Sequence, residues 1–182
     1  MYHDRERTAL RLAEWLEGLR RFELPEWEAL PELDLYMDQV VLLLSRYLAP
    51  MYEAEDEKFI TASIINNYVR MKVMPPPVKK KYSRSHLAYL VMICTLKQSL
   101  SISSIQRLLP EDRSEDSIRE LYETFTGQYH AAVDFLQHLP DGRLQGEEGR
   151  ELVMTSAILA TLSKSLTEYL LQDEADEQEY DG

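Results

Sequence analysis

TASIINNYVRMKVMPPPVKKKYSRSHLAYLVMICTLKQSLSISSIQRLL, residues 61 to 109, holds the chain's only concentrated positive charge. From Lys58 to Pro110 there are nine basic residues and no Asp or Glu, in a chain whose formal net charge is -12. The segment carries +9, so the remainder carries -21. Such polarity fits a polyanion-facing surface on a body that repels polyanions elsewhere, or a solvated basic face of an ordinary domain. The apolar spacing within the stretch predicts two short helices and a longer one around a proline and lysine turn.

At 100° per residue, Ile64, Ile65, Tyr68, Met71 and the stem of Lys72 fall within about 80° of Thr61, on one side of the first helix. Ser63, Asn66, Asn67 and Arg70 gather on the other. Thr61 is placed to cap the first turn, and Pro75-Pro76-Pro77 to end the helix, because proline disfavours a helical residue before it. Asn can bond adenine and Arg guanine in the major groove, so the polar face suits base readout; an exposed face without a ligand is the plain alternative.

Past the prolines, Lys79-Lys80-Lys81-Tyr82 is too charged and short for a core element and reads as a turn or clipped wing that meets phosphate. Ser83 caps a helix from about Arg84 to Gln98 with Leu87, Leu90, Val91, Cys94 and Leu96 inward. Ser101 caps another through Leu109. His86, at a helix start beside the basic turn, fits either a phosphate contact or a plain surface histidine.

The order of a recognition-type helix, prolines, a basic turn, Tyr-Ser-x-x-x-Leu opening a helix, and LSISSIQRLL resembles the DNA-binding head of the mercury-resistance-regulator (MerR) superfamily. More closely, INNYVRMKVMPPPVKKKYSRSHLAYL, with LDLYMDQVVLLLSRYL upstream, is similar to an uncharacterised Gram-positive bacterial family, domain of unknown function 1836, over about Leu24 to Pro110. Six glycines and long helical periods argue an all-α chain with a C-terminal helical hairpin, and the superfamily resemblance implies a MerR-like winged helix-turn-helix head. Its Thr-Ile-Arg-Tyr-Tyr core stands here as Ile64-Ile65-Asn66-Asn67-Tyr68. The aromatic at Tyr68 and the cation at Arg70 match, while the Arg-Tyr pair has become Asn-Asn. Val78 to Tyr82 lacks the longer Gly-Tyr-Arg hairpin, and the link from Leu48 to Thr61 exceeds the tight turn of a standard helix-turn-helix.

In chain order, residues 4 to 21 read as an amphipathic helix and FELPEWEALPELDL as an ordered strap packed by Trp27. Asp34 caps the next helix, whose apolar residues cover more than one face, as in a buried scaffold. Residues 53 to 57 read as a solvated acidic loop. Residues 1–110 thus form the head. Residues 111–171 form a helical hairpin, with Ser114 capping its first helix and Pro140-Asp141-Gly142 at its turn, which either dimerises or caps its own head. Residues 172–182 are an acidic tail expected to be disordered. A charged N-terminus and the lack of about 18 consecutive apolar residues point to a cytoplasmic protein that does not enter a membrane. Cys94 is the only cysteine and reads as a buried structural thiol.

No phosphate loop, Cys pair, His-Glu-x-x-His or nucleophile elbow is present, so neither enzyme activity nor a cofactor is expected. His130, Asp134 and His138, four apart, read as surface residues rather than metal ligands. Two readings compete. In one, a homodimeric, sequence-specific transcription regulator binds double-stranded DNA: Ser63, Asn66, Asn67, Tyr68 and Arg70 form the helix that faces bases. Lys72, Lys79, Lys80, Lys81, Tyr82 and Arg84 hold phosphates. In the other, a non-catalytic protein-interaction module keeps the helix-turn-helix fold and turns its basic face to an acidic protein. Neither target sequence, sign of regulation nor effector is legible.

Overall fold

Nine consecutive residues, His86 to Cys94, are buried, and the head is built around the helix that holds them. The computed structural model describes residues 10, 11, 13–15, 17, 18, 23–49, 60–110, 112–137 and 149–179. In chain order these give a 3-10 turn (Trp27–Ala29), β1 (Leu35–Tyr36), α1 (Met37–Leu48), α2 (Ala62–Arg70), β2 (Lys81–Tyr82), α3 (Arg84–Leu96), α4 (Ile102–Leu108), α5 (Glu115–Gln137) and α6 (Gly149–Glu179). The described residues from 10 to 18 are helical, inside the first expected helix. The expected acidic loop at 53–57 and the turn at Pro140-Gly142 lie outside the described residues.

The fold is mostly helical, as expected, with one small exception. β1 pairs antiparallel with β2, Leu35 opposite Tyr82 and Tyr36 opposite Lys81. Two-residue strands are too short to leave a period in sequence. The pairing also moves the start of α1: Tyr36 rather than Asp34 is its N-cap, and the Tyr36 N–H donates to Gln39 Oε1 at 2.9 Å. The ladder holds the chain extended through Tyr36, so the helix opens two residues later than expected.

α3 is the scaffold that the sequence reading assigned to α1. HLAYLVMIC carries no charged side chain, and a helix apolar on all sides belongs at the centre of a core. α1 instead buries a stripe at four-residue spacing, Val40, Leu44 and Leu48, and leaves Leu42 exposed. α1 packs on α3, and α2 packs on α1. Burial pushes the Cys94 thiol up to about 12, which fits a structural, unreactive sulfur.

The strap closes one side of this core. Trp27 is buried and meets the Tyr122 ring edge-on at 6.1 Å, while the Tyr122 hydroxyl donates to the Pro25 carbonyl at 2.6 Å. The core therefore continues past Pro110 into α5, where Ile118 and Tyr122 are fully buried. The chain divides into two compact units, Phe22–Ala131 on one hand and Met1–Arg21 with Ala132–Gly182 on the other. The head, expected to end at Pro110, thus takes in the first turns of α5. α6 runs to Glu179, through most of the stretch expected to be a disordered tail. QDEADEQE has no Gly or Pro and is rich in helix formers, which accounts for the extension. Among the described residues no helix is long and apolar enough to cross a membrane.

Candidate nucleic-acid interface

α2 starts as its sequence dictates. Thr61 is extended, and its Oγ1 accepts the Ile64 N–H at 3.2 Å. Ile65 and Tyr68 then go into the core, with Ile64 and Val69 half-buried beside them. Ser63, Asn66 and Arg70 are exposed and Asn67 is half-exposed, so the Ser-Asn-Asn-Arg face does look outward. Two of its members are tied together. The Arg70 Nη2 donates to Asn67 Oδ1 at 2.6 Å, and Asn67 Nδ2 lies 3.4 Å from Met71 Sδ.

The helix ends at Arg70, five residues before the prolines, because Lys72 takes a left-handed φ of 58°. The Val73 N–H returns to the Tyr68 carbonyl and the Lys72 N–H to that of Val69, each at 3.0 Å. This is a Schellman closure, and buried Val73 and Tyr68 supply its apolar contact. Met71 and Lys72 are therefore exposed, not on the buried side where a continued helix would put them. Arg113, a residue the sequence did not single out, donates Nη2 to the Lys72 carbonyl at 2.9 Å and braces this corner.

The basic turn is a closed hairpin. Val78 and Lys81 exchange both backbone hydrogen bonds, at 3.1 and 2.9 Å, and the two residues between them, Lys79 and Lys80, have φ of 50° and 64°. Positive φ at both central positions is the type I′ signature, which Asn-Gly satisfies without strain. Here two lysines occupy it, both exposed. Lys81 is half-buried, with its ammonium 5.4 Å from the centroid of the Tyr36 ring across the ladder.

Three residues expected at the interface, and His86 beside them, are engaged elsewhere. Tyr68 and Tyr82 are core residues, 7% and 2% exposed, so neither ring faces a ligand. Arg84 spends its guanidinium on the strap. Its Nε donates to the Leu30 carbonyl at 3.1 Å, its Nη2 lies 3.4 Å from Glu32, and it sits over Trp27 at 5.8 Å. His86 is neither a phosphate contact nor a surface residue. Buried beside Tyr82, it accepts the Ser83 N–H on Nδ1 at 3.1 Å, and its Nε2 donates to the Pro76 carbonyl at 3.2 Å. It closes a capping box from the third helical position and ties the proline run to α3. Burial holds its pKa below the ordinary range, against the opposing pull of the Pro76 bond and Asp34.

The residues that remain free to meet a ligand are Ser63, Asn66, Asn67 and Arg70 on α2, Lys72 at its end, and Lys79, Lys80 and Lys81 on the hairpin. The set is cationic and donor-rich. Among the described residues no three His, Cys, Asp or Glu side chains are grouped to hold a metal; His138 lies outside them, and His130 stands 3.9 Å from Glu26. One family, described as Domain of unknown function (DUF1836), matches residues 25–125, from the strap to Phe125 in α5. No curated protein and no solved structure matches the chain.

Proposed function

The chain belongs to the DUF1836 family over residues 25–125, and from that premise we propose that its head is a short-winged helix-turn-helix that binds double-stranded DNA and regulates transcription. In this reading α1 and α2 are the helix pair, α2 enters the major groove, and the Val78–Lys81 hairpin is a wing reduced to its turn. Asn66 and Arg70 read base edges; Lys72, Lys79, Lys80 and Lys81 meet phosphate. Two heads from two copies engage two half-sites.

One observation carries the reading. The outward face of α2 presents an amide and a guanidinium already joined by a 2.6 Å hydrogen bond, on a helix capped at both ends. The hairpin adds support. Left-handed Lys costs on the order of 1 kcal/mol each relative to the relaxed alternatives, and contact with a polyanion offsets that cost. A second reading has its own observation: Leu33, 80% exposed, and Val78, 67% exposed, lie in the segments that frame the lysines, and apolar groups beside cations suit an acidic protein partner.

Anisotropy titration of a labelled random duplex across salt concentrations tests the proposal. Four phosphate contacts per head give a log–log slope of about -3 to -4. No binding near physiological salt, with capture of an acidic protein through the same lysines, supports the second reading instead.

A further inference from the structure

α6 carries a row of apolar side chains four residues apart, Met154, Ile158, Leu162, Leu166 and Leu170, and every one is more than half exposed. Leu159 and Tyr169, also exposed, flank the row within an arc of roughly 160°. The opposite side carries Ala157, Ala160, Lys164, Thr167 and Glu168, with one large apolar residue, Leu171, which is buried.

The row reads the same from either end about Leu162. Laid antiparallel on a second copy of itself, Met154 meets Leu170, Ile158 meets Leu166, and Leu162 meets Leu162. The flankers also agree, because Leu159 then stands opposite Ser165 and Tyr169 opposite Thr155, large against small. A parallel pairing sets Leu159 on Leu159 and Tyr169 on Tyr169, large against large. Seven large apolar side chains at this exposure offer on the order of 700 Å² per copy, close to the roughly 800 Å² per partner of a standard stable interface.

We propose that α6 pairs with α6 of a second copy, antiparallel across a two-fold axis at Leu162. This rests on the dimer reading given above and specifies its surface. A row at four-residue spacing is an i±4n ridge, and two such ridges interlock at a crossing angle of about -50°, so the contact is centred and isologous rather than a long supercoil. At the axis the two helices, about 8–10 Å apart with Cα atoms about 2.3 Å from each axis, bring the Leu162 Cα atoms within about 4–6 Å. That is disulfide range.

Cysteine placement in the full chain tests the geometry. Cys94 is buried and its thiol is held protonated, so an introduced surface cysteine is the reactive one. Leu162→Cys is expected to convert to a covalent dimer under mild oxidation. Met154→Cys alone is not, because the two copies of that position stand about 24 Å apart along the antiparallel pair. Met154→Cys mixed with Leu170→Cys is not expected to cross-link either, because helices crossing at about -50° have diverged by about 10 Å at eight residues from the axis. Equal cross-linking of Met154→Cys and Leu162→Cys overturns the antiparallel arrangement in favour of a parallel one. A dimer by sedimentation whose Leu162→Cys form does not cross-link overturns the α6 interface while leaving dimerisation standing. A monomer at tens of micromolar overturns both, without bearing on whether one head binds DNA.

Discussion

Arg70 reaches back one turn of α2 and donates its Nη2 to Asn67 Oδ1 at 2.6 Å, so guanidinium and amide form one unit on the exposed helix face. Asn67 is half-exposed and Arg70 exposed, so in the proposed complex the amide braces and the guanidinium reads. The two substitutions should therefore be non-additive. Arg70→Ala is expected to cost about 1–3 kcal/mol of discrimination at one base pair. Asn67→Ala should lose part of the same energy, and the double variant little more than Arg70→Ala alone, with a coupling of about 0.5–3 kcal/mol in a double-mutant cycle. Simple additivity would mean that the pair does not act together on DNA.

Asn66 stands apart from this pair and makes its own contact in the proposed complex. Asn66→Ala leaves the fold intact, since the side chain is exposed, and relaxes preference at a different base pair from Arg70→Ala. The selected motifs of the two variants check this, and loss of preference at the same position in both contradicts it.

The hairpin separates stability from binding. Replacing Lys79 by Asn and Lys80 by Gly gives the type I′ turn its preferred residues and should stabilise the head by about 1–2 kcal/mol in total. The same change removes two phosphate contacts, so the salt slope should flatten by about 1.8. Thermal unfolding and anisotropy on one preparation measure both. A variant that is more stable with an unchanged slope shows that these lysines do not touch the backbone of DNA.

His86 links stability to pH. Its pKa is lowered on folding from an ordinary 6.5, so below that value the unfolded chain binds the proton more readily than the folded one. The stabilisation is complete above the ordinary pKa and declines as pH falls through it toward the folded value. His86→Gln keeps an acceptor for the Ser83 N–H but cannot titrate; it loses the Pro76 bond, about 1 kcal/mol, and should remove this contribution to the pH dependence. Denaturant unfolding at pH 7.5 and 5.5 compares the two, and an identical pH slope in both proteins contradicts the assignment.

Arg84→Ala tests the reassignment of that residue to the strap. Loss of the Leu30 bond and the Trp27 contact should cost about 1–2 kcal/mol of stability, while the salt slope of binding stays as in the parent. A flattened slope with unchanged stability would return Arg84 to the phosphate-contacting set.

Much of this arrangement was legible in the sequence, for local reasons. Thr61, Ser83, Ser101 and Ser114 sit at helix starts because a short side-chain oxygen there satisfies orphan amides, and each does so or opens its helix as read. The split of α2 into an Ile65–Tyr68 side and a Ser63–Asn66–Arg70 side follows from helical period alone. What was hidden depends on partners distant in the chain. Lys72 closes α2 in a left-handed conformation with no Gly to mark it, so Met71 and Lys72 were placed on the wrong side. Tyr68, Tyr82, Arg84 and His86 stand next to cations in sequence, yet the packing of α1, α3 and the strap draws them inward. A charge run fixes a neighbourhood; which of its members face water is decided by tertiary contacts.

Selection of bound fragments from a random duplex library, run with the full chain and with Arg70→Ala at near-physiological salt, tests the DNA-binding reading most directly. The account predicts one recovered motif for the parent and loss of preference at a defined position for the variant. Fragments recovered without any motif, or the same motif at the same affinity from both proteins, would contradict it.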